Sequence, residues 1–264
     1  MKGFCAITLC ALGLGYLCLA AACSPPSTGE PPTADWQGTV DAFVSLGRGQ
    51  AIPEHLLQED AARTGEEFDP NGYFPILDHL SMEPGYVLDY VYWYDFMGGF
   101  PVLYARPEEQ PRYGTLSEYQ DAVGDLSPEA FRHGFLDHVR TDGTAEGFFQ
   151  FVVLRVMGRQ FYLYWHANYD DATVICSRAR LEELLGGIGE LGQEMPAEDR
   201  EKARGLDVAP VVELQEDTVR VQVVIFTKWG GFFRQSYTIG REFPHQVLHW
   251  EEEELVPYDC GIQF

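Results

Sequence analysis

The stretch TVRVQVVIFTKWGGFFRQSYTIG, residues 218–240, decides the fold. Val219, Val221, Val223 and Ile225 fall on one side of an extended chain and Arg220, Gln222, Val224 and Phe226 on the other, so one face is continuous core. Trp229-Gly230-Gly231-Phe232 then turns the chain into a second run, Phe233 to Ile239, and Gln246 to Trp250 offers a further strand. Two upstream blocks have similar dress. YVLDYVYWYD at 86–95 leads through Met97-Gly98-Gly99-Phe100 into Val102-Leu103-Tyr104. Phe148 to Val156 leads through Met157-Gly158-Arg159 into Phe161 to His166. Three hairpins are therefore expected.

Between and before these blocks the pattern turns helical. Trp36, Val40, Phe43 and Val44 recur at spacing three to four behind Asp35, a candidate N-cap, in a stretch read as helical to residue 65. Ile52-Pro53 is expected to open a second helix there, and Asp69-Pro70-Asn71-Gly72 is a turn cluster. Further short helices are expected over Ser117–Val123, Ser127–Val139, Ser177–Leu185 and Pro196–Ala203, with Ser117, Ser127 and Ser177 as caps. Helices cluster between β blocks without a βαβ rhythm. The sequence predicts an α+β fold, a mainly antiparallel sheet built from three hairpins with short flanking helices, in one globular domain over residues 36–264.

Charge limits the partners. Lys and Arg total 18 against 41 Asp and Glu, a net charge of −23. A phosphate backbone needs clustered cations, so nucleic acid is excluded as a partner. A hydrophobic content of 45% with 14% aromatics is enough apolar surface to fold.

The amino terminus carries the most specific motif. After Lys2, no charge interrupts Gly3 through Ala22, and the run ends in Leu19-Ala20-Ala21-Ala22-Cys23. One cation followed by an apolar run is the pattern of a secretory signal peptide, although about 20 residues would also span a bilayer as a helix. Small side chains before a nucleophilic thiol, and prolines after it, fit processing better. The motif resembles the lipobox of bacterial lipoproteins, with Ala20 where that family prefers leucine. The resemblance implies a signal peptide over 1–22, diacylglyceryl transfer to Cys23, cleavage after Ala22 and acylation of the new amine. The membrane partner would then be reached through the N-terminal lipid, in a cell membrane or outer membrane, on the extracytoplasmic side.

Residues 23–35 follow as the lipidated cysteine and a Pro-rich linker. Pro25, Pro26, Pro31 and Pro32 fix φ and remove donors, giving an extended stalk of roughly 35 Å. Loss of Lys2 leaves 17 cations against 41 carboxylates, −24, so anionic headgroups would repel the body.

Beyond Cys23 and the three leader cysteines, only Cys176 and Cys260 remain. Outside the cytoplasm they could form a disulfide contributing roughly 4 kcal/mol, or stay as two separate buried thiols. Tyr258-Asp259-Cys260-Gly261 superficially resembles the Asp-Cys motif of cell-wall cysteine peptidases, but no histidine follows it. Gly187-Ile188-Gly189-Glu190-Leu191-Gly192 matches a dinucleotide loop letter by letter; a helix precedes it, so it reads as a helix-terminating loop. His133 and His138, five apart in a helix, do not make a metal pair. His245 and His249 with Glu251 and Glu253 would be a feasible divalent site, but a solvated acidic strand end is the commoner outcome, and no metal or other cofactor is expected.

Two aromatic rows are the candidate ligand surface. On a strand, Tyr90, Tyr92 and Tyr94 share a face, and so do Tyr162, Tyr164 and His166, with Asp170 and Asp171 just beyond. If adjacent, the rows would form an amphipathic groove able to stack a sugar or grip a peptide. No Ser elbow or zinc-protease motif accompanies them. The expected function is a non-catalytic, lipid-anchored envelope protein binding a protein or carbohydrate ligand. Alternatives are an envelope hydrolase using His166 with Asp170 or Asp171, and an immunity-type binder of a basic protein.

Overall fold

A computed structural model describes residues 34–47, 50–190 and 192–262. The leader, Cys23 and most of the Pro-rich stretch lie outside the described residues. Among the described residues no helix is long and apolar enough to cross a membrane. Among the described residues six α-helices and ten strands, all paired antiparallel, make an α+β fold.

The 218–240 stretch forms the centre of the main sheet. β8 (Thr218–Thr227) and β9 (Gly231–Gly240) pair along their length, and β10 (Val247–Pro257) adds outside β9. Gly231, at φ +95°, makes the turn possible; a Cβ there would lie 2.2 Å from the Val256 carbonyl oxygen. On the far side of β8, β6 (Thr173–Ile175) pairs with residues 224–226 and β7 (Val211–Leu214) with 219–222.

The apolar residues that interrupt the alternation of β8 have a use. Val219, Val221, Val223 and Ile225 enter the main core, whereas Val224 and Phe226 enter a second cluster on the opposite face. That second face is covered by α5 (Arg178–Gly187), α6 (Ala197–Arg204) and the chain end around Tyr258 and Cys260. Ser177 caps α5 through the Arg180 N–H at 3.1 Å, as its sequence predicts.

The 86–104 hairpin is present as β2 (Tyr86–Asp95) and β3 (Gly98–Pro107). Leu88, Tyr90 and Tyr92 enter the main core; Val91, Val102 and Tyr104 pack beneath Tyr119 of α2 (Leu116–Val123). Thr115, not Ser117, caps α2. Ser127 does cap α3 (Pro128–His133). β1 (Leu80–Met82) and β4 (Val139–Thr141) form a small ladder that sequence patterning did not reveal.

The middle hairpin is the principal correction. Phe148 to Val156 lies inside α4 (Ala145–Met157), and nine of its residues are buried. A helix buried on all sides shows no 3.6-residue stripe, so FFQFVVLRVM looks like strand by content. Its true signal is at the start, where Thr144 accepts the Gly147 N–H at 3.1 Å and Glu146 sits in the positive first turn. α1 (Trp36–Gly47) begins as expected, with the Gly38 N–H on the Asp35 carboxylate at 2.9 Å. The expected second helix there is only a single 3₁₀ turn, Glu54–Leu56.

Candidate functional site

Residues 158–172 connect α4 to β6 and line two cavities. Only Tyr164–Trp165 is strand here (β5), because Tyr162 and Trp165 have φ of +54° and +43°, which breaks the two-residue alternation. The expected tyrosine groove therefore does not form. Tyr90, Tyr92 and Tyr162 are core residues. The Tyr92 hydroxyl donates to the Tyr162 carbonyl at 2.6 Å, and the Tyr162 hydroxyl accepts the Phe68 N–H at 3.0 Å. The rows do meet, but the Tyr92 and Tyr162 hydroxyls are consumed by backbone and the Tyr90 hydroxyl is buried. Tyr94 and Tyr164, ring centroids 5.5 Å apart, are the half-buried remnant.

His166 and the two aspartates diverge. His166 lies in a 3₁₀ turn, stacked on Tyr169 at 6.0 Å, and belongs to the wall of neither cavity. Asp171 faces the smaller cavity and Asp170 the larger. Burial pushes the Asp171 carboxyl up, although Thr227 Oγ1 donates to it at 2.6 Å and the Lys228 ammonium stands 3.7 Å away. The acid/base set proposed for a hydrolase is thus not brought together.

Other sequence candidates are also dispersed. Cys176 and Cys260 are buried free thiols in different core clusters, so the allowed disulfide is not made. Burial raises the Cys176 thiol far above its ordinary value. His245 sits before β10, buried, with the Thr141 N–H donating to its Nε2 at 3.2 Å; His249 is exposed beside Glu251. They share no site, and among the described residues no three potential ligands cluster around a metal position. His138 bonds Glu83 at 2.7 Å, while His133 turns elsewhere. The Gly187–Gly192 loop does terminate a helix, with Gly189 and Gly192 at φ +101° and +99°.

The smaller cavity, about 390 Å³, opens between the two core clusters, with Phe43, Tyr73, Phe161, Phe226 and Tyr258 among its walls. Its cations have partners: Arg180 bridges Glu183 at 2.7 Å, and Lys228 faces Asp171.

The larger, about 640 Å³, is a cleft between one face of the main sheet and helices α3 and α4. The sheet wall follows from strand register. Gln235 and Tyr237 of β9 stand opposite Glu252 and Trp250 of β10, and all four line the cleft. The Tyr237 hydroxyl donates to Gln235 at 2.6 Å, and the Gln235 amide donates to Glu252 at 2.8 Å. Phe100, Tyr169 and Trp229 are further aromatic walls.

The helix wall carries Arg132, His133, Arg155 and Arg159. Arg155, with 10% of its side chain exposed, bridges Glu129 at 2.9 Å. Arg159 donates through Nε to the Pro101 carbonyl at 3.3 Å. Burial lowers the His133 imidazole to about 3, helped by Arg155, Arg159 and Arg132, so it is neutral at ordinary pH. Burial, then Arg132, lowers Arg159 to about 10, with Asp170 opposing. Arg155 and Arg159 escape a sequence reading that places 148–159 on a hairpin, since Arg155 lies in the last turn of α4 and Arg159 just past its end; Arg132 falls in an expected helix, but nothing local links it to them.

The chain matches no protein-family model, no curated protein and no solved structure.

Proposed function

We propose that this protein is a lipid-anchored, extracytoplasmic binding protein whose ligand occupies the cleft between the main sheet and helices α3 and α4. The observation carrying the reading is that cleft: about 640 Å³, within the size range of small-molecule sites, with aromatic walls and a few convergent polar groups. Anchoring rests on the lipobox-like LAAAC ending of the leader and the prolines after it. In this reading Cys23 carries the acyl chains and the stalk holds an acidic domain away from the headgroups.

The anchor is tested by metabolic labelling with an alkyne-tagged fatty acid. Wild type should label and partition with membranes, and Cys23→Ala should do neither; equal labelling would end the lipoprotein reading. The cleft is tested by native mass spectrometry of the detergent-solubilised protein purified from its own cells. A small-molecule adduct is expected on wild type and should vanish in Val156→Trp, whose indole would intrude on the helix wall between Arg155 and Arg159. An adduct kept by that variant would place the ligand elsewhere.

A protein partner is the second reading, favoured by one observation. β10 is an edge strand on which Leu248 (59% exposed) and Trp250 (47%) precede the exposed run Glu251–Glu254, apolar side chains at one end of an acidic edge. A spectrum without adduct, together with co-purification of a basic protein that Trp250→Ala abolishes, would transfer the function to this edge.

A further inference from the structure

We infer that the ligand of the large cleft is an oxyanion carried on a ring, a carboxylated or phosphorylated molecule of sugar size, gripped by Arg132, Arg155 and Arg159 against the aromatic walls. This rests on the binding reading above and names the chemistry it would select.

The argument starts from charge. With 41 carboxylates for 18 cations, an arginine in this chain should find an acidic partner easily. Yet neither Arg132 nor Arg159 has a carboxylate within 4.0 Å among the described residues, and both line the same cavity as Arg155. Holding like charges together costs Coulomb energy that is screened little in a partly buried site. A bound anion would offset it, and guanidinium presents paired donors that match a carboxylate or phosphate.

A second observation is independent of the arginines. Nδ1 of His133 is buried without a hydrogen-bond partner among the described residues, on the same wall. A neutral imidazole there can donate one N–H to a bound oxygen. The carboxylates of the cleft do not cancel the arginines in place. Glu129 is already bridged to Arg155 and Glu252 to Gln235; Asp170 is exposed. These carboxylates are exposed at the cleft edge beside Arg132, while Arg155 and Arg159 lie deeper.

The ring follows from the opposite wall. Tyr169, packed on Trp229 at 4.5 Å, and Trp250 present 42% and 47% of their surface, and Tyr237 carries its hydroxyl into the cleft network. Flat apolar faces with a hydroxyl and an amide beside them suit a polar ring. In the smaller cavity both cations, Arg180 and Lys228, face a carboxylate, although the Arg180 Nε is buried without a hydrogen-bond partner among the described residues.

The test is calorimetry on the full-length protein in neutral detergent with three matched probes: glucose, glucuronate and glucose 6-phosphate. At least one charged probe should bind at least about tenfold more tightly than glucose, and its affinity should fall as salt rises from about 0.05 to about 0.5 M. Arg132→Gln, an exposed position that threatens no packing, and Arg159→Lys should each weaken that binding about tenfold. Arg220→Gln, on the other face of the sheet, should leave it unchanged. Binding by only one charged probe supports the inference and identifies carboxylate or phosphate as the group. Equal binding of glucose overturns the inference while leaving a binding protein. Binding indifferent to both cleft variants overturns it as well. Failure of all three probes beside an adduct that Val156→Trp removes overturns the anion while the binding reading stands; failure of the probes with no adduct ends both.

Discussion

At the scale of single residues, the most consequential group is a buried ionic cluster that no local pattern announces. Arg63, 4% exposed, lies 3.6 Å over the Tyr90 ring, donates to the Tyr90 carbonyl at 2.7 Å and pairs with Asp89; the Arg106 Nε reaches the same carboxylate at 2.8 Å. Burial raises the Asp89 carboxyl, but Arg106 and Arg63 outweigh it and hold it below the ordinary range. Asp89→Asn takes the shared carboxylate from both guanidiniums, leaving Arg63 only Glu67 at 3.7 Å, and should cost about 3 kcal/mol, read from urea melts at pH 7. A cost below about 1 kcal/mol would show the cluster to be solvated.

Glu67, 1% exposed, accepts the N–H groups of Thr64 (2.6 Å) and Gly65 (2.7 Å), the Thr64 hydroxyl and His55. Burial pushes its carboxyl up, yet these bonds hold it at about 2. A depressed carboxylate pKa stabilises the fold above its ordinary value of 4.5 and loses that contribution as pH falls toward 2. Stability should therefore decline by about 3 kcal/mol across that window for this group, and Glu67→Gln should flatten that part of the acid titration. The tyrosines show why such sites are hard to read in advance. The row on β2 is visible from spacing, but whether a hydroxyl faces solvent depends on an acceptor elsewhere, and Tyr92 finds its own 70 residues away.

Elements divide by whether their signal is local. The 218–240 and 86–107 hairpins were legible because glycine turns and alternating residues lie within one short window. α4 was not, since its periodicity vanishes when every side is buried, and only the cap betrays it. Thr144→Ala removes a bond to the Gly147 N–H and another to Asp142 at 2.6 Å. It should cost about 1 kcal/mol, a few degrees in the melting temperature, without altering circular dichroism at room temperature. Ladders such as β1 with β4 pair segments some 60 residues apart, and three residues carry too little alternation to be recognised. The same misreading of α4 hid part of the candidate site, because Arg155 sits in its last turn and Arg159 just beyond, and the wall they share with Arg132 of α3 has no local signal.

For the molecule as a whole, one sheet organises two cores. The valines of β8 that face α4 and the Val224/Phe226 pair that faces α5 were both visible as apolar residues, which is why the α+β class could be read from sequence. What covers each face could not, since it depends on segments far apart in the chain. The acidic rim at the cleft edge has a kinetic consequence at this scale. A net charge of −23 repels any anion during approach, and the deeper Arg155 and Arg159 act only once the visitor has passed Glu129, Asp170 and Glu252. Stopped-flow traces of glucuronate or glucose 6-phosphate, whichever binds, should show association quickening as salt screens the outer field, while escape quickens more. Such a gate sorts visitors by how much charge they bring. A long polyanion meets the rim with every group at once and is turned away, whereas a small molecule with a single acidic group slips through and is retained.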